Sequence, residues 1–285
     1  MRTESEVIDQ LLQFALADER VRAVILNGSR VNPNVTQDIF CDYDLIFVVT
    51  DLRYFLNHQE WIKRFGELIM MQQNDINTDG EDEYIFLMLF MDGIRIDLSF
   101  RRAETVNEHI EDSLSKVLLD KDNVLKRFSP PSEASYVTVK PSADEFHRNI
   151  NNLLWCSTNA AKGLWRDELP YAKFMLDIVV RQNLMKLLSW YVGAEHNWSV
   201  NLGTASKWLK DYLPEQLWYS FERTYSGPAF SDIWESLYTT IRLAKEVGQP
   251  LAEKLNYEYP SHDHNNVLAY LGKVRDLPKD ATKFP

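Results

Sequence analysis

The 285 residues are 45% hydrophobic and 26% charged, the profile of a globular chain long enough for two domains with cores of their own. The net charge of −11 is unevenly placed: residues 1–140 hold 25 acidic and 15 basic side chains, net −10, and residues 141–285 hold 17 and 16, net −1. An acidic N-terminal half repels a polyanion, which argues against nucleic acid as a partner; it would draw a cationic small molecule, and the alternative is that the surplus acid only keeps the chain soluble. No apolar run reaches the roughly eighteen residues of a membrane span.

The chain begins Met-Arg-Thr-Glu-Ser-Glu without an apolar signal core, so a cytoplasmic location is expected. Thr3 to Glu6 has the spacing of a capping box, and Val7, Leu11, Leu12 and Ala15 continue it at helical intervals. Val21 to Leu26 reads as a buried strand stopped by the turn signal Asn27-Gly28-Ser29, and a polar loop leads to a second strand, Tyr43 to Thr50. Trp61, Phe65, Leu68 and Ile69 predict a helix over about 57–73. Tyr84–Met91, Asp92-Gly93 and Ile94–Phe100 read as a β-hairpin.

Ser129-Pro-Pro-Ser132 and Pro141 mark a linker region. Beyond it the pattern is helical: a capping box from Ser142 to Glu145 opens a long helix, Pro170 starts one that ends near Gly193, and shorter helices follow near 204–212 and 214–225. Two more run from Ser231 to Gly248 and from about Ser261 to Arg275. The expected fold class is therefore α/β plus all-α. A mixed-sheet domain over residues 1–135 precedes a helical bundle over 136–285. Cys41 and Cys156, the only cysteines, lie far apart and read as thiols rather than a disulfide or a zinc site.

The chemistry concentrates in Asn27-Gly28-Ser29-Arg30 and Asp42-Tyr43-Asp44. Residues two apart in a strand share a face, so Asp42 and Asp44 project together. Two adjacent carboxylates repel unless a cation lies between them, and hard oxygen ligands suit magnesium. In Ile94-Arg-Ile-Asp-Leu-Ser-Phe100, alternation puts the apolar residues on one face and Asp97 on the other with Arg95 and Ser99. A second metal a few Å away would let the pair clamp attacking and leaving oxygens, and Asp97, completing a three-carboxylate site, would hold that second metal, act as the base for an acceptor hydroxyl, or do both. No G-x-x-x-x-G-K-[ST] or G-x-G-x-x-G is present to support a P-loop or dinucleotide fold.

This combination of Gly-Ser, D-x-D and a later Asp resembles the nucleotidyltransferase superfamily. More closely, the chain resembles the aminoglycoside 6-adenylyltransferases, through Ala23–Arg30, Asp38–Asp44 and Phe47–Asp51, and in the helical half through Ala161–Trp165, Tyr171–Leu176 and Ser189–Tyr191. The resemblance implies transfer of AMP from ATP to the 6-hydroxyl of streptomycin, with magnesium held by Asp42, Asp44 and Asp97 and the triphosphate met by Gly28, Ser29 and Arg30. Thr204 stands where the family pattern would lead one to expect a lysine, leaving Lys207 as the phosphate candidate. Asp177, a carboxylate amid apolar neighbours, is the candidate acceptor contact, with an internal helix-to-helix salt bridge as the alternative. Trp155 is a candidate stacking surface, with core packing as the alternative. His262 and His264 read as surface residues or a helix start. Rival functions are a nucleotidyltransferase with another small-molecule or protein acceptor, and a non-catalytic nucleotide-binding protein.

Overall fold

Alternation in the strands builds a sheet with one heavily packed face and one that is apolar only in part. The structure, a computed structural model, describes residues 1–75, 83–109, 112–126 and 128–284. By contact density the chain divides into Met1–Ser135 and Tyr136–Pro285.

In the first unit, β1 (Val21–Asn27), β2 (Tyr43–Val49), β3 (Leu68–Asp75), β4 (Glu83–Phe90), β5 (Arg95–Arg102) and β6 (Ser115–Asp120) form a mixed sheet in the order β3-β4-β5-β2-β1-β6. β2 and β5 run parallel at its centre, and the other neighbours pair antiparallel. Tyr43, Leu45, Phe47 and Val49 of β2 face the larger core. There Val7, Leu11 and Phe14 of α1 (Glu4–Ala17) and Phe55 of α2 (Leu52–Asn57) meet Trp61, Phe65, Phe86 and Phe100. The other face carries only a small apolar cluster, Ala23, Ile25, Ile46 and Val48 with Val106 of α3 (Val106–His109). The strand residues that continue this face past the cluster are Asn27 and Asp44, and both are polar. The capping box at Thr3 and Glu6 forms as expected.

Two sequence expectations fail here. Residues 57–73 are not one helix: a 3-10 turn, Gln59–Phe65, ends at Gly66 with φ +133°, and the chain enters β3. Trp61 and Phe65 are buried, but Leu68 onward pairs with β4, and Ile69 is exposed. Strand β6 was not anticipated at all. Its pairing is long-range, with β1, and its sequence, Ser-Lys-Val-Leu-Leu-Asp, carries a weak alternation.

The second unit contains α4 (Ala143–Trp165), α5 (Leu169–Phe174), a π-helical segment Met175–Val180, α6 (Arg181–Glu195), α7 (Leu209–Tyr212), α8 (Glu215–Glu222), α9 (Phe230–Leu255) and α10 (Ser261–Asp276). The expected α/β plus all-α class is what the chain adopts. Helix α9 passes through Gly248 and Pro250 and stops only at Asn256, which takes the left-handed conformation. Gly248 is there for packing: a Cβ would lie 2.7 Å from the Tyr259 ring. His262 and His264 lie in the first turn of α10, the helix start that was one of their two readings, but His264 is fully buried rather than at the surface, with its Nδ1 2.9 Å from the Tyr259 hydroxyl. None of the described helices is long and apolar enough to cross a membrane.

Candidate active site

Strand register decides which polar groups meet. Asn27 pairs with Asp44 across β1 and β2, Asp44 with Asp97 across β2 and β5, and Asn27 with Ser115 across β1 and β6. Directly opposed residues project on the same face, so Ser115, Asn27, Asp44 and Asp97 form one row across four strands. It lies on the sparsely covered face, at the ends of β1 and β2 where Ala23/Ile25 and Val48/Ile46 give way to polar residues. Asp42 precedes β2 at the same end.

The loop after β1 brings its backbone onto this row. Gly28 opens a 3-10 turn, Gly28–Val31, with φ +75°, and a Cβ there would stand 2.5 Å from Asp44 Oδ2. Only glycine combines that left-handed backbone with such a close approach to a carboxylate. Its N–H is held by the Leu114 carbonyl at 3.0 Å. Further along, Asn32 and Asn34 donate to the two oxygens of Glu133 at 2.8 and 2.7 Å, and the Gln37 amide donates to the Arg30 carbonyl at 2.9 Å. The connection from Gly28 to Asp42 is thus pinned along its length.

Arg30, assigned to the triphosphate by the resemblance, is engaged within the protein. Its Nη2 and Nε donate to the carbonyls of Cys41 and Asp42 at 2.6 and 3.0 Å, and its Nη1 reaches Glu4 at 3.1 Å. The guanidinium also lies over the Tyr43 ring, 3.5 Å from its centroid, and the side chain is only 7% exposed. In this arrangement it braces the segment that carries Asp42.

Electrostatics mark the row as costly. Burial, then the neighbouring carboxylates of Asp97 and Asp42, push the Asp44 carboxyl up to about 6, against a downward pull from Arg95 and Arg30. Asp97 is 11% exposed, and Arg95 engages both of its oxygens, Nε to Oδ1 at 2.8 Å and Nη2 to Oδ2 at 2.6 Å. Arg95 Nε also lies 3.5 Å from Asp42 Oδ2. Asn27 Oδ1 and Ser115 Oγ are buried with no hydrogen-bond partner among the described residues. Hard carboxylate oxygens, an unmatched buried carbonyl and a glycine-cleared space suit a divalent cation of the magnesium kind. Among the described residues no three His, Cys, Asp or Glu side chains already converge on one point. The reading of the sequence missed Asn27, which it treated as a turn residue, and Ser115, whose strand it did not see.

The sequence matches the streptomycin adenylyltransferase family over residues 1–274. The chain belongs to that family. It is 36% identical over 267 residues to the aminoglycoside 6-adenylyltransferase of Campylobacter jejuni, spanning 92% of this chain and 93% of the relative. It is 35% identical over 269 residues to that of Bacillus subtilis (strain 168), spanning 92% and 95%. A solved aminoglycoside 6-adenyltransferase from Bacillus subtilis is 30% identical, with 97% of this chain and 100% of that one covered and a TM-score of 0.49. As a member of the adenylyltransferase family the chain is a nucleotidyltransferase.

The candidates in the helical unit are engaged differently. Asp177 lies in the π-helical segment, with Lys173 Nζ 2.7 Å from one oxygen and Arg181 Nη2 3.2 Å from the other. Arg181 in turn donates to the Thr224 hydroxyl and carbonyl, each at 2.7 Å, and lies over the Tyr225 ring. Asp177 is the negative member of an ion-pair network one turn to either side along its own helical stretch, a salt bridge within the helix rather than the helix-to-helix one weighed from sequence. Trp155, expected on the first long helix, is 69% exposed rather than core, and it lines a cavity of about 710 Å³ between α4 and α10 with Asn151, Asp263 and Tyr270. Lys207 is exposed after Gly203, its Nζ 4.9 Å from the Trp208 ring centroid.

Proposed function

We propose that the chain transfers AMP from magnesium-bound ATP to the 6-hydroxyl of streptomycin. The observation that carries this reading is the in-register pair Asp44 and Asp97 with the Gly28 backbone set against Asp44. Asp42 and Asp44 would hold magnesium, joined by Asp97, and the ion would neutralise charge on the phosphates as the transfer proceeds. The Gly28 and Ser29 backbone would lie along the triphosphate, where glycine permits close approach. Lys207 remains the candidate for a second phosphate contact. The acceptor oxygen attacks the α-phosphorus, the bond to the bridging oxygen breaks, and pyrophosphate leaves. Asp97 would hold metal, accept the hydroxyl proton, or do both.

Streptomycin fits the charge of the chain, because its two guanidinium groups would be drawn to a half of net −10. Trp155 offers an exposed aromatic face for the acceptor. Asp177 is left out of this proposal, since both its oxygens already have cationic partners. Cys41 and Cys156 are both free thiols, which accords with the reducing cytoplasm, where ATP is available.

The test is pyrophosphate release from ATP and magnesium across a panel of streptomycin, other aminoglycosides and a protein acceptor mixture. Release that depends on streptomycin and stops when its 6-hydroxyl is blocked is the expected result. Release with another acceptor but not streptomycin would refute the substrate, and no release with any would refute catalysis.

A further inference from the structure

Arg95 stands in the candidate site without a place in the roles given so far. It is the first residue of β5, two before Asp97 and on the same face. Its two-pronged contact uses both Asp97 oxygens, and the same guanidinium reaches toward Asp42. A planar fork on a carboxylate is among the stronger pairings a protein side chain makes, and it takes one lone pair on each oxygen, the pair of directions in which a carboxylate would chelate a metal with both. Asp97 therefore cannot keep this fork and also serve a divalent cation in full, and two positive groups crowded on one carboxylate repel.

The two partners differ in freedom. The Asp97 side chain is fixed in the sheet at 11% exposure, whereas that of Arg95 is 44% exposed on a long flexible stem. When a cation takes Asp97, Arg95 is the group that moves, and its guanidinium then stands free beside a site that would receive a polyanion.

We propose that Arg95 is an exchangeable counter-ion, displaced from Asp97 by the divalent cation and transferred to a phosphate oxygen of the nucleoside triphosphate. This rests on the nucleotidyltransferase reading of the site. Arg95 then offsets part of the negative charge of the carboxylate row before the substrates enter, and binds phosphate afterwards with the same donors. It is a nucleotide-binding residue, and it does not hold the metal.

The test pairs Arg95→Ala and Arg95→Lys with the wild-type protein in two titrations by calorimetry. Manganese is titrated without nucleotide, and a non-hydrolysable ATP analogue is titrated at saturating magnesium. Loss of the competing cation should tighten manganese binding several-fold in Arg95→Ala. Loss of the phosphate contact should weaken the analogue by about ten- to a hundred-fold, the range of a charge-assisted hydrogen bond. Arg95→Lys, which keeps the charge and loses the fork, should fall between on both, and it carries the test should the alanine variant unfold. Manganese binding unchanged or weakened in the variants, or an unchanged analogue affinity, would overturn the exchange. A wild-type protein that binds neither probe would instead overturn the parent reading, and the exchange with it.

Discussion

Replacing Gly28 by alanine tests the site through its backbone alone, with no charge removed. At φ +75° an L-residue costs about 1–2 kcal/mol. The added Cβ would also lie 2.5 Å from Asp44 Oδ2, so the carboxylate or the turn must move by roughly an ångström to restore contact distance. A displacement of about 1 Å at a reacting centre can lower turnover by about a hundred-fold. Gly93→Ala supplies the control: its φ of +83° carries the same backbone penalty, but a Cβ there meets only the flexible end of Met1, at 3.1 Å. Thermal melts and steady-state pyrophosphate release should therefore separate the two. Gly93→Ala loses about 1–2 kcal/mol of stability and Gly28→Ala at least as much, and only Gly28→Ala loses about two orders of magnitude in kcat. Equal activity in the two, with Gly28→Ala folded, would show that the turn's approach to Asp44 plays no part in the reaction.

Three further outcomes follow from the titrating and paired groups. The Asp44 carboxyl is raised from 3.8 to about 6, so between those values the folded chain binds more protons than the unfolded one and stability falls as pH rises. In chelator, Asp44→Asn should then exceed wild type in urea stability above pH 6, by about 1–3 kcal/mol, while losing turnover; a less stable Asn variant at pH 7.5 would contradict the repulsion. His264 acts with the opposite sign: burial lowers its pKa from 6.5 to about 4, so its contribution is complete above pH 6.5 and is lost as pH falls toward 4. Compared with wild type over that overlapping window, His264→Asn should show a flatter acid limb, and an unchanged limb would mean that protonation there is not coupled to folding. Asp177→Asn should lower stability by roughly 1–2 kcal/mol, because Arg181 keeps its charge with one partner fewer. Its KM for streptomycin should stay within a few-fold, and a tenfold rise would return Asp177 to the acceptor site.

What could be read from the sequence was whatever is local. Capping boxes at Thr3 and Ser142, alternation in Ile94–Phe100 and the Asp92-Gly93 turn are each specified within a few residues, and the structure contains them. The D-x-D and the later Asp could be noticed as types, but their meeting depends on the parallel register of β2 and β5, residues 44 and 97 apart in the chain. Failures came where distant contacts outrank local preference. Trp61, Phe65, Leu68 and Ile69 have helical spacing, yet pairing with β4 and the Gly66 backbone turn the second pair into a strand. Gly248 looked like a stop because the Tyr259 ring it packs against lies eleven positions later.

The same distinction governs the charged residues. A sequence shows that a carboxylate sits among apolar neighbours and must be satisfied, but not by what. For Asp177 the partners are one helical turn away on either side, so the setting that suggested a ligand is closed by its own helix. For Asp44 the neighbours are two more carboxylates and a glycine backbone, an arrangement that helix bracing does not require and that costs stability. Arg95 offsets part of that cost from a flexible, exposed stem, so the compensation is removable. A chain selected only for stability would place an apolar or amide side chain at position 44. An acid kept there against its own titration is the physical argument that the row exists to bind something positively charged.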